Sequence, residues 1–90
     1  MERQEQIIKG FLEKGIEIAK EENFFEILKT EILKLEDPSK TVLLKRYGFD
    51  SDAQTLQSVA EELGLEREEV RQIEYNAYLE IVKILKKYNK

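Results

Sequence analysis

The segment from Thr55 to Ile73, TLQSVAEELGLEREEVRQI, constrains this chain more than any other. Thr55 can cap a short helix running to about Leu63, Gly64 can make a tight turn, and a second helix can begin near Glu66. Val59, Ala60 and Leu63 form an apolar inner face on the first helix, and Leu65, Val70 and Ile73 answer them from the second. Ala60 is small enough for the helices to approach closely. Two short helices crossing at a fixed angle in this way form a helix-turn-helix, whose second helix commonly enters the DNA major groove. An ordinary helical hairpin is the alternative.

The rest of the chain agrees with an all-α protein. It has 90 residues, one Pro and four Gly, and abundant Glu, Lys, Leu and Ile. From Arg3 to Glu22, Ile8, Phe11, Leu12, Ile16 and Ala19 recur on one side of an expected amphipathic helix, with Gly10 and Gly15 each costing it about 1 kcal/mol relative to Ala. Asn23 is an expected N-cap for a second helix, with Glu26 as its capping-box partner. That helix carries Phe24, Phe25, Ile27, Leu28, Ile32, Leu33 and Leu35. Asp37-Pro38-Ser39 stops it, and Pro38 can sit in the first turn of a third helix that ends near Tyr47 with Gly48 as its cap. Phe49 to Gln54, with Asp50, Ser51 and Asp52, reads as a loop. The last helix runs from about Glu66 to Lys87, with Val70, Ile73, Ala77, Ile81 and Ile84 as its buried stripe. The expected division is an N-terminal amphipathic helix over 1–22 and a helix-turn-helix domain over 23–90. The N-terminal helix can pack back on the domain, pair with another copy or bind a partner.

Composition narrows the chemistry. Without Cys or His, thiol metal sites and the commonest general base are absent, and no Gly-rich phosphate loop is present. The many carboxylates read as solvated helix surface, so neither an enzyme nor a cofactor is expected. No apolar run approaches a membrane span or a signal peptide, and a soluble cytoplasmic protein is the expectation. The net charge of −4 runs against the basic balance common in DNA-binding domains, whose affinity depends on phosphate contacts.

Arg67, Glu68, Arg71, Gln72, Tyr75 and Asn76 lie off the buried stripe of the last helix. Arg can fork onto guanine, Gln can pair with adenine and Glu can accept from the amino group of cytosine. The same residues also suit a solvated face with Arg67 and Arg71 paired to neighbouring glutamates.

At these positions the chain resembles region 4 of bacterial sigma factors of the sigma-70 type. The residues concerned are Tyr47-Gly48-Phe49, Thr55-Leu56, Val59-Ala60, Arg67-Glu68 and Val70-Arg71-Gln72-Ile73-Glu74. REEVRQIE resembles the family's R-E-R-[IV]-R-Q-I-E, and LLKRYGF resembles its L-R-x-R-[FY]-G-[ILM]. The resemblance covers roughly Phe24 to Leu85. It implies a helical domain that reads the −35 promoter element on double-stranded DNA and docks on the β-subunit flap of RNA polymerase. Arg67, Glu68 and Gln72 fall where the family reads bases, and Arg71 falls on a DNA-contacting position. Ile32, Leu35, Val42 and Leu43 would be core and docking surface.

The departures from the pattern concern charge. Glu66 stands where the family has a Thr or Ser cap, Glu69 where it has a second Arg, and Asn76 and Glu80 where it has basic residues. From Glu66 to Glu80 there are five acids against two arginines. Lys83, Lys86, Lys87 and Lys90 can compensate, or can simply favour the C-terminal end of the helix dipole. Ninety residues leave no room for a −10 reader. The expected roles are therefore an isolated region 4, a stand-alone regulator of that type, or a protein-interaction domain that binds polymerase with little DNA binding of its own.

Overall fold

A computed structural model describes residues 2–49 and 51–89. Asp50 of the expected loop and Lys90 of the lysine cluster lie outside the described residues. Five α-helices follow one another: α1 (Glu2–Glu13), α2 (Phe24–Leu33), α3 (Ser39–Tyr47), α4 (Leu56–Leu63) and α5 (Arg67–Leu85). Short 3-10 helices lie at Glu17–Lys20 and Lys86–Tyr88, and no strand occurs among the described residues.

The first helix is shorter than the periodicity predicts. Gly15 adopts φ +84°, and the Gly15 N–H donates to the Leu12 carbonyl at 2.9 Å while the Ile16 N–H donates to the Phe11 carbonyl at 3.0 Å. That pair of bonds closes a helix with a left-handed residue, so Gly15 is a terminator and not a tolerated interior glycine. Ile16 and Ala19 still reach the core, from the turn and the 3-10 helix that follow. The second helix also departs from expectation. Asn23 has φ −90° and ψ 15° and makes no side-chain capping bond, because a cap of that kind needs an extended residue. The helix ends at Leu33, so Leu35 lies in the connection.

The later boundaries match the expected punctuation. Pro38 stands at the N-cap of α3, and the Asp37 carboxylate accepts from the Thr41 N–H at 3.1 Å and its hydroxyl at 2.6 Å. Gly48 ends α3, and the Thr55 hydroxyl accepts from the Ser58 N–H at 3.1 Å to open α4. Gly64 ends α4 at φ +68°, where an L side chain is strained, and the Leu65 N–H reaches back to the Ala60 carbonyl at 2.9 Å.

Two apolar cores lie on either side of α3. The larger gathers Phe11, Ile16, Ala19, Phe24, Leu28, Ile32, Leu35, Leu43, Ala77, Ile81, Val82 and Leu85. Ring contacts run through it, with Phe11 5.6 Å from Phe24 and 5.1 Å from Tyr78 between centroids. The smaller core is Val42, Val59, Ala60 and Val70, flanked by Leu56, Leu63, Leu65 and Ile73. Val42 and Leu43, adjacent on α3, therefore belong to different cores. Ile32, Leu35 and Leu43 lie in the larger core and Val42 in the smaller, so the core part of the expectation holds; Ile32, Val42 and Leu43 have no exposed surface and Leu35 keeps 8%, which leaves no open docking surface at these four in the free chain.

The apolar side of α1 is covered by the chain's own core, which supports packing back over pairing with another copy. Polar bonds tie down the same region. The Tyr78 hydroxyl donates to the Gly10 carbonyl at 3.0 Å, and the Asn89 amide donates to the Gly15 carbonyl at 2.7 Å. The buried Glu31 accepts from the Tyr88 hydroxyl and pairs with Lys34 at 3.5 Å.

Candidate nucleic-acid interface

The small core sets the angle between α4 and α5 and so determines what α5 presents. Val70 and Ala77 turn inward on α5 and are buried. Arg67, Glu68, Arg71, Gln72, Tyr75 and Asn76 are all exposed, and their spacing in pairs four residues apart places them on one side of the helix. Tyr75 is the most open large apolar residue among the described residues, at 54%.

The six differ in what they already hold. Both oxygens of the Glu68 carboxylate engage Arg71, whose Nε donates to Oε1 at 2.9 Å and whose guanidinium NH2 group donates to Oε2 at 2.5 Å. The Gln72 amide donates to the same Oε2 at 3.4 Å. Arg71 therefore spends its fork within the chain. These bonds hold the Glu68 carboxyl down to about 2, and the bond to Glu68 raises Arg71 further above its ordinary value. The Arg67 side chain is exposed and has no hydrogen-bond or close ion-pair partner among the described residues, although its charge is felt by Glu68. The pairing expected for both arginines is thus found, in hydrogen-bonded form, at Arg71 alone.

The acids of this stretch are partly explained by structure. Glu69 accepts from the Glu66 N–H at 2.9 Å, which supplies half of a capping box at the start of α5. Glu74 pairs with Arg46 at 3.0 Å. Of the five acids in this stretch, Glu68, Glu69 and Glu74 thus have partners inside the molecule.

Arg46, not among the expected site residues, ties this site together. Besides Glu74 on α5, it donates from its guanidinium to the Gln54 carbonyl at 2.6 Å, so it joins the end of α3 to the entry of α4 and to α5. Its place in LLKRYGF was the available signal. Lys45 makes a parallel link to Glu62 of α4 at 3.0 Å and lowers that carboxyl below its usual range. Arg46, Thr55, Leu56, Gln57 and Arg67 line an open cleft of about 600 Å³ between the starts of α4 and α5. In this cleft the Arg67 guanidinium has no hydrogen-bond partner among the described residues, whereas the Arg46 guanidinium is held by Glu74 and the Gln54 carbonyl.

The family model for Sigma-70, region 4 matches residues 32–81, which span α3, α4 and most of α5. The chain belongs to the sigma-70 region 4 family. No solved structure matches it. Membership in the sigma-70 region 4 family gives the helix-turn-helix its role: a non-enzymatic DNA-binding module of transcription, whose family acts on the −35 promoter element and with RNA polymerase. In region 4 terms, the buried stripe and turn at Gly64 lie within the matched span, whereas α1 and the Lys86–Tyr88 turn lie outside it. No helix among the described residues is long and apolar enough to cross a membrane.

Proposed function

We propose that this region 4 domain reads a −35-like element in the major groove with the first half of α5. Arg67, Glu68, Arg71, Gln72, Tyr75 and Asn76 supply the contacts to DNA. The observation that carries this reading is the exposure of all six on one side of a helix whose opposite side is anchored in the small core. Arg67 has its fork available for guanine, Gln72 can pair with adenine and Glu68 can accept from cytosine. The cleft between Arg46, Thr55, Gln57 and Arg67 receives the phosphates that fix the register. The work is done in the cytoplasm, beside RNA polymerase.

Competition binding tests the reading. Wild-type protein is expected to prefer a −35-like duplex over a scrambled one, and Arg67→Ala is expected to lose about 1–3 kcal/mol of that discrimination. Equal competition by both duplexes for the wild type contradicts it.

One observation favours a second reading. The Arg71 fork is closed by Glu68, and the recognition stretch is acidic, which weakens the electrostatic support for DNA binding. In that reading the domain binds the β flap of polymerase and regulates it with little DNA binding of its own. Contact would then fall on exposed apolar residues such as Leu33, at 49%, since Ile32, Leu35, Val42 and Leu43 are inside. Calorimetry with a flap fragment distinguishes the readings: tight flap binding with no duplex binding at low salt supports the second.

A further inference from the structure

We infer that Glu68 is an internal competitor for the DNA-reading groups of α5, and that it sets specificity by suppressing binding to the wrong sequence. This rests on the DNA-reading proposal above. Three observations support it. The Glu68 carboxylate offers Arg71 two acceptor oxygens in the bidentate geometry that a guanine edge or a phosphate would offer. Its Oε2 also takes the Gln72 amide, so one carboxylate occupies two neighbouring readers. The pair is exposed, with 53% of the Arg71 side chain and 64% of the Glu68 side chain open to solvent, so it can exchange partners without unfolding the helix.

The consequence follows from competition. A non-cognate duplex offers Arg71 only phosphate oxygens, and taking them means giving up a carboxylate of equal geometry and leaving Glu68 unpaired beside the polyanion. A cognate duplex offers an exchange in which Arg71 and Gln72 find new acceptors and the released Glu68 accepts from a cytosine amino group. The carboxylate therefore penalises general affinity more than specific affinity. In a domain with a net charge of −4, this places discrimination ahead of strength.

The neighbouring acid supplies a matched control. Glu69 carries the same charge one residue along, but its carboxylate is directed to the Glu66 N–H and not to Arg71. Glutamine serves in a capping box as glutamate does, so Glu69→Gln removes one charge without dismantling the helix start.

The test measures binding of the full chain and of Glu68→Gln, Glu69→Gln, Arg71→Ala and Glu68→Gln/Arg71→Ala to −35-like and scrambled duplexes across salt. Glu68→Gln is expected to tighten binding to the scrambled duplex and to shrink the preference for the −35-like one. It should also gain one phosphate contact's worth of salt dependence, so that a roughly fourfold rise in salt weakens it about threefold more than the wild type. Glu69→Gln should show neither the added salt dependence nor the lost preference, and the Glu68→Gln effect should vanish in the Arg71→Ala background. Equal behaviour of Glu68→Gln and Glu69→Gln, or a Glu68→Gln effect that survives without Arg71, overturns the inference while leaving the DNA-reading proposal standing. Scrambled-duplex affinity that is unchanged in Glu68→Gln also overturns it. Failure of the wild type to bind either duplex at low salt overturns the DNA-reading proposal and the inference with it.

Discussion

The two cores of this molecule differ in size, in composition and in what depends on them. The larger is rich in aromatic rings and buries residues from α1, α2, α3 and α5. Much of it, including Phe11, Ile16, Phe24, Leu28 and Leu85, comes from outside the span that matches the region 4 family. The smaller has four fully buried residues, all aliphatic and all within that span. Its burial alone would make a marginal domain, yet it fixes how α5 stands on α4. The difference teaches that most of the stability and most of the binding geometry rest on separate residues, with α3 as the wall shared between them.

Substitutions in the two cores should therefore have opposite profiles. Phe11→Ala removes a ring that touches both Phe24 and Tyr78 and should cost about 3–5 kcal/mol in denaturant unfolding, with duplex preference retained by the molecules that stay folded. A cost below about 1 kcal/mol would break the assignment of stability to the larger core. Ala60→Leu crowds the crossing of α4 and α5 and should cost less, about 1–3 kcal/mol, while abolishing duplex preference altogether. Retained preference in that variant would show that the crossing angle does not govern recognition.

Smaller effects sharpen the contrast. Thr55→Ala leaves the Ser58 N–H without its cap and should lower stability by about 1 kcal/mol, read as a shift in the urea midpoint. The Glu68–Arg71 pair gives the smallest effect and a defined pH window. The Glu68 carboxyl lies near 2 in the folded chain against an ordinary 4.5, so the pair stabilises the fold above pH 4.5 and that contribution is lost as pH falls from 4.5 toward 2. A side-chain NMR titration should find Glu68 still ionised at about pH 4, where an ordinary glutamate is more than half protonated. A midpoint near the ordinary value would mean that the pair is not formed in solution.

Legibility followed punctuation. The helices from α3 onward could be read because Pro38, Gly48, Thr55 and Gly64 stand at their ends and each acts there by a local mechanism. In the N-terminal part the punctuation is ambiguous. A glycine inside a periodic run can be a weak spot or a terminator, and only the backbone at Gly15 separates the two. Asn23 and Glu26 have the letters of a capping box, but the backbone at Asn23 is not extended.

The site divides in the same way. The identities and common face of Arg67, Glu68, Arg71, Gln72, Tyr75 and Asn76 were visible in the helical spacing, because that spacing alone decides which residues share a side. Whether Arg71 faces a partner or its own Glu68 was not visible, since a glutamate three residues away serves either arrangement. That Ile32, Leu35, Val42 and Leu43 are core was legible in the periodicity, but that they leave no open docking surface was not: Val42 and Leu43 sit on a helix walled by two cores, and Ile32 and Leu35 are covered by the larger one, and that depends on the packing of distant segments.

In the proposed function, recognition by this acidic region 4 domain rests on the exposed side chains of α5 and not on overall charge. The most direct test is fluorescence anisotropy of a labelled −35-like duplex and a scrambled duplex, each titrated with this protein over a range of salt. Binding to the −35-like duplex should weaken as salt rises and exceed binding to the scrambled one throughout. Equal affinity for the two, or no binding to either at the lowest salt, would contradict the proposed function.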